Sequence, residues 1–164
     1  MKRQTEKVMF LVHAAAIAAL YVVLTEVSAM LGLASGAIQV RISEALTVLP
    51  YFTPAAIPGL FLGCLLSNFL TGCALWDVVF GSLATLLGAL VSYAARKHRN
   101  LVWIPPVVSN VLIVPWVLRL VYGVPDALGY LMFTVGIGEV ISCGVFGMLL
   151  LLALERHRNA IFAR

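Results

Sequence analysis

Between Val8 and Leu33 the chain holds one formally charged side chain, Glu26. At about 1.5 Å per residue, a helix over that run outreaches the roughly 30 Å hydrocarbon core of a bilayer. The rest of the chain is built the same way, with 62% of its 164 residues apolar and 11% charged. A soluble domain carries about 45–50% apolar and about 25% charged residues, so water is not the main solvent here. A soluble enzyme, a secreted disulfide scaffold and a disordered tail are excluded on this ground. With about 20 residues per crossing, the length accommodates at most about six or seven spans with short loops. That leaves no room for a soluble ATPase domain. The first run is also longer than a signal-peptide core and lacks a clear cleavage site, so it is expected to stay as a membrane helix.

Six apolar segments can be drawn: about 8–33, 38–52, 55–71, 76–95, 101–122 and 127–154. The breaks fall at Ser35-Gly36, Thr53-Pro54, Gly72, the basic stretch Arg96 to Asn100, and Gly123 to Pro125. Pro105-Pro106 marks the first turn of the fifth segment or a kink in it. Nine of the eleven Lys and Arg residues lie in three clusters: Lys2, Arg3 and Lys7; Arg96, Lys97 and Arg99; Arg156, Arg158 and Arg164. Each abuts an apolar run, the pattern of cytoplasmic juxtamembrane loops and not of a nucleic-acid footprint. Four segments precede Arg96 and two more precede Arg156, so an even count puts all three clusters inside. The expected fold is an all-α, single-domain polytopic membrane protein with six transmembrane helices and both termini cytoplasmic. The segment 38–52 is short, about 22 Å as an α-helix. It is expected either as a short tilted span or, with 55–71, as half of a re-entrant hairpin. Non-helical backbone at that depth has to be buried in protein or line a cavity.

The remaining ionisable groups within the segments are Glu26, Arg41, Glu44, Asp77, Arg119 and Glu139. On this topology all lie in the outer half or near the middle of the membrane, and Asn68 joins them. A charge in hydrocarbon costs at least about 2.5–3.5 kcal/mol, so such groups face the protein interior, water or one another. Interfacial solvation accounts equally for Glu26, Asp77 and Arg119, and Arg41 with Glu44 could be a local helix pair. Taken together, Arg41, Glu44, Asn68, Asp77, Arg119 and Glu139 describe a polar pocket open to the outside and closed below by apolar side chains. Tyr51, Trp76, Phe80, Trp116, Tyr122 and Phe133 are placed near it. They are candidates either for stacking on a flat ring or for interfacial belts. A carboxylate accepting two N–H bonds from a guanine-like edge would supply specificity.

Ala14 with Ala18 and Ala15 with Ala19 give two overlapping small-xxx-small spacings, a face that lets another helix approach closely, in this bundle or a partner. Cys64, Cys73 and Cys143 lack pairing or metal-ligand spacing and read as buried thiols. His13, His98 and His157 all fall on the cytoplasmic side, away from the carboxylates. No nucleophile–base or metal constellation forms, which disfavours a membrane-embedded enzyme. The lack of charges through the inner half disfavours a pore.

The stretches Val40-Arg41-Ile42-Ser43-Glu44-Ala45-Leu46-Thr47-Val48-Leu49-Pro50 and Thr53-Pro54-Ala55-Ala56-Ile57-Pro58-Gly59 resemble the QueT family. So do Phe80-Gly81-Ser82-Leu83-Ala84-Thr85-Leu86 and Gly138-Glu139-Val140-Ile141-Ser142, in the same order along nearly the whole chain. The family comprises substrate-binding (S) components of energy-coupling factor (ECF) importers for queuosine precursors. The resemblance implies six helices, cytoplasmic ends and cell-membrane localisation. It implies partners as well: an EcfT-like transmembrane coupling protein and two ECF ATPases, with docking through small residues of the first helix. The cargo implied is a 7-deazaguanine: preQ0, preQ1 or queuine. Arg41, Glu44 and Glu139 fall within the matching blocks; Asn68, Asp77 and Arg119 rest on topology alone. An S component for another small vitamin is the alternative, and no cofactor, metal or nucleic-acid partner is expected.

Overall fold

The computed structural model describes residues 2–34 and 38–158, and among them every regular element is helical. The break at Ser35-Gly36 and the basic residue Arg164 lie outside the described residues. Helix α1 runs Lys2–Met30, followed by a 3-10 segment Ile42–Tyr51, then α2 Ala56–Leu70, α3 Leu75–Ala94 and α4 Ile104–Leu120. The last apolar run forms α5 Leu128–Glu139, a π-helical stretch Val140–Phe146 and α6 Gly147–Glu155. These three abut as one apolar helix, Leu128–Glu155. Local chemistry sets the boundaries. Gly72 and Gly123 follow α2 and α4 with φ of 75° and 64°, the left-handed stop that glycine supplies without steric penalty. Pro105 and Pro106 occupy the first turn of α4, where a missing N–H is harmless.

Packing distances give the running directions. A Cβ on Gly59 would lie 2.8 Å from the Ala14 carbonyl oxygen, and one on Gly63 would lie 2.7 Å from the Tyr21 Cβ. Residue numbers rise together along this seam, so α1 and α2 are parallel, and the two glycines let their backbones touch. The chain between them must therefore return, and the 3-10 segment is that return. It runs against α1, with Thr25 meeting Ser43 and Ser28 meeting Ile42, and alongside the last helix, with Gly138 at Gln39 and Gly147 at Val48. Elsewhere neighbours are antiparallel: Asp77 meets Tyr122 across α3 and α4, and Gly136 at Val111 with Gly144 at Trp103 sets the last helix against α4. The Arg99–Glu155 ion pair brings the middle basic stretch to the same end of the bundle as the C-terminal one.

Four helices are long and apolar enough to cross a membrane: Arg3–Met30, Leu75–Ala94, Arg99–Leu120 and Leu128–Glu155. Their lipid-suited faces carry Met30, Leu75, Leu120 and Phe133 in the open. This is a multi-pass membrane protein. The expectation of six full transmembrane helices is coarser in the structure: α2 has 15 residues, and the second segment is neither a tilted α-helix nor lipid-exposed. Its residues Ser43 to Pro50 are all buried, because α1, α2, α3 and the last helix enclose it. Enclosure by protein is what an irregular backbone at that depth requires. The lower part of the segment, Leu46 and Leu49, joins Ile17, Tyr21, Ala56, Leu60, Cys64 and Ala89 in the main apolar core. Its upper part carries charge.

Candidate functional site

Arg41 and Glu44 stand at the upper end of the 3-10 segment, held there from two sides. The Tyr21 hydroxyl of α1 donates to Glu44 Oε1. Thr25 donates to Ser43 Oγ at 2.8 Å, and the Ile42 amide donates to Ser28 Oγ at 2.9 Å. From the opposite side Ser142 Oγ accepts the Arg41 amide at 3.1 Å while donating to the Gly138 carbonyl at 2.8 Å. A Cβ on Gly138 would fall 2.0 Å from the Gln39 carbonyl oxygen, so glycine is what admits the Gln39–Arg41 segment beside the helix. Glu139 follows at once, immediately before the π-helical stretch, and such local widening of a helix is frequent at functional sites.

These residues surround one cavity, lined by Gln39, Arg41, Glu44, Cys64, Asp77, Gly81, Thr85, Asn110, Val114, Val135 and Glu139. Asp77, Gly81 and Thr85 are successive i, i+4 positions, so α3 presents a single ridge to it. The free volume is about 30 Å³, far below the roughly 300 Å³ at the low end of ligand sites. A ring-sized ligand therefore needs the lining side chains to move apart. Inside, charge is poorly matched. Arg41 Nη1 donates to Asn68 Oδ1 at 3.4 Å, and among the described residues it forms no ion pair with a carboxylate. Glu44 is 2% exposed, and its Oε2 is buried without a hydrogen-bond partner. Cys143 Sγ donates to Glu139 Oε2 at 3.3 Å. Tyr122 donates to Asp77 Oδ2 at 2.9 Å and accepts the Ala74 amide at 3.0 Å. Partial burial, with the Asp77 carboxylate adding to it, pushes the Tyr122 hydroxyl up to about 12, so it remains a donor to Asp77 at neutral pH.

Of the residues singled out in the sequence, the structure gathers Arg41, Glu44, Asp77 and Glu139 around the cavity, with Asn68 just behind Arg41. Arg119 is not among them: it is exposed in the last turn of α4. The aromatic residues do not line the cavity either. Trp76 and Phe80 stack on each other at 5.9 Å on the exposed ridge next to Asp77. Trp116 and Phe133 are exposed, and Tyr51 lies at the far end, donating to Glu155 at 3.2 Å. Gln39, Asn110, Thr85 and Cys64 were not singled out as site residues. They are uncharged, and only packing decides that they face inward. Cys64 and Cys143 are buried thiols as expected, while Cys73 is only partly buried. Glu44, Glu139 and Cys143 offer oxygen and sulfur atoms within 4.8 Å of one another, a donor set that suits a cation.

The family profile described as QueT transporter matches residues 11–156. The chain belongs to the QueT transporter family. The match covers every element that builds the cavity. A similar protein is the queuosine precursor transporter QueT of Lactococcus lactis subsp. cremoris (strain MG1363), 40% identical over 78 residues. That alignment covers 47% of this chain and 45% of the relative, so it spans less than half the length of that protein. No solved structure matches. On α1, Ala14 and Ala18 are buried against α2, whereas Ala15 and Ala19 are exposed. The two overlapping spacings thus divide between the interior and the outer face of the bundle.

Proposed function

We propose that this chain is the substrate-binding component of an ECF-type importer, taking a 7-deazaguanine queuosine precursor (preQ0, preQ1 or queuine) into the cavity bounded by Arg41, Glu44, Asp77 and Glu139. The observation that carries the reading is this buried, under-paired polar cavity in one half of an otherwise apolar bundle. A transport-family protein has use for such a site only if something enters it. The carboxylates supply acceptors for the N–H groups of a deazaguanine, and Arg41 and Asn68 supply donors for its carbonyl. Glu44, with one oxygen free, is the first acceptor available. Arg119 keeps at most a peripheral role at the mouth. The chain crosses the membrane six times on this reading, the 3-10 segment and α2 counting as a protein-enclosed pair, and both ends are cytoplasmic.

Energy comes from partners: an EcfT-like coupling protein and two ECF ATPases. Ala15 and Ala19 form the contact with the coupling protein, because Ala14 and Ala18 are already occupied by Gly59 and Gly63. Titration of the purified protein with preQ0, preQ1, queuine and guanine, followed by tryptophan fluorescence and calorimetry, tests the cargo. Saturable sub-micromolar binding of a deazaguanine supports the reading. Folded protein that binds none of the four refutes it and reopens the other small vitamins.

A further inference from the structure

We infer that Glu44 and Glu139 form a paired seat for one protonated primary amine, so that the site selects a deazaguanine bearing a cationic aminomethyl group over a neutral analogue. This rests on the cargo class proposed above and adds the feature that discriminates within it. Three observations support it. First, Glu44 Oε2 is a buried carboxylate oxygen with no hydrogen-bond partner, while its other oxygen is fixed by Tyr21. Leaving such an acceptor unmet is costly, more so when it is charged.

Second, one carboxylate oxygen of Glu44 and one of Glu139 lie within 4.8 Å of each other. An ammonium nitrogen has three donors at tetrahedral angles. Two of its N–H···O bonds of about 2.9 Å span acceptors about 4.7 Å apart. A planar base edge presents its donors side by side to one carboxylate and does not need the pair. Third, the cavity lining has three carboxylates, Glu44, Asp77 and Glu139, and one guanidinium, Arg41. Arg41 is held toward Asn68 and makes no ion pair with them among the described residues. Two carboxylates that share a site repel each other, and a single cation between them relieves this. Asp77 is the less available carboxylate, since its Oδ2 is already engaged by Tyr122 whereas Glu44 Oε2 is free.

The test uses the full chain in detergent and three probes: 7-aminomethyl-7-deazaguanine, 7-cyano-7-deazaguanine, and zinc chloride alone. In the native protein the amine is expected to bind at least about tenfold tighter than the nitrile, the scale of a charge-assisted hydrogen bond. Glu139→Gln is expected to bring the amine-to-nitrile affinity ratio down to within about threefold. Glu44→Gln serves as the second variant should the first fail to fold, and the native amine-to-nitrile ratio decides without either. Equal binding of amine and nitrile by the native protein overturns the amine seat but leaves the deazaguanine reading standing. Binding of neither by folded protein sinks that reading, and this inference with it. Saturable zinc binding that Glu139→Gln abolishes, without amine preference, overturns the inference in favour of a metal site.

Discussion

The two ends of this bundle treat charge differently. At the cytoplasmic end proposed above, Arg99 and Glu155 meet at 2.9 Å, Arg99 exposed and Glu155 half-buried, and Tyr51 adds a second contact to the same carboxylate. In the other half, Arg41, Glu44, Asp77 and Glu139 are drawn into one small cavity and form no ion pair among the described residues. Solvated pairs contribute about 0–1 kcal/mol, whereas buried, unmatched charge is a burden on the fold. On the proposed reading, the first end serves orientation and modest stability, and the second holds charges for a ligand. Stability and binding should respond oppositely at the two.

The largest effect tests what holds the charged half together. Gly138→Ala places a Cβ against the Gln39 carbonyl, 2.0 Å away before relaxation. It should cost about 1–3 kcal/mol or more and abolish ligand binding, measured by thermal melting and calorimetry. Glu44→Gln should weaken binding at least about tenfold while leaving the melting midpoint of the ligand-free protein unchanged or higher. A fall in both would mean the charge is structural after all.

The α1 face gives the next contrast. Ala18→Leu, pressed on α2 beside Gly63, should destabilise the bundle by about 1–3 kcal/mol. Ala15→Leu should shift stability by no more than about 0.5 kcal/mol, retain ligand binding and lose co-purification with the coupling protein. Smallest of all, Glu155→Gln should cost at most about 1 kcal/mol with unaltered affinity. Arg119→Gln should leave affinity within about twofold.

Much of the fold was legible because apolar runs and glycine or proline breaks are local signals: α1, α3, α4 and the last helix begin and end within a few residues of the segments drawn from sequence, apart from the start of α1. The 3-10 form of Ile42–Tyr51 was not, since a short apolar run does not reveal whether protein or lipid surrounds it. Only the parallel seam at Gly59 and Gly63 makes its enclosure evident. In the cavity, Arg41, Glu44, Asp77 and Glu139 stood out because a charge in an apolar run is conspicuous. Asn110 and Gln39 did not, because an uncharged polar residue is tolerated on many faces. Arg119 was placed by its depth in the membrane, which does not reveal which side of the helix faces inward, and exposed Trp116 and Phe133 fit the interfacial alternative. Trp76 and Phe80 lie on the ridge beside Asp77, and the side that looks inward is set by Gly81 and Thr85.

The most direct test of the central claim is a calorimetric titration of a queuosine precursor into the native protein and into Glu44→Gln. The account predicts saturable one-to-one binding by the native chain and its loss, or a weakening of at least about tenfold, in the variant. Equal affinity in the two would place the ligand elsewhere and contradict it.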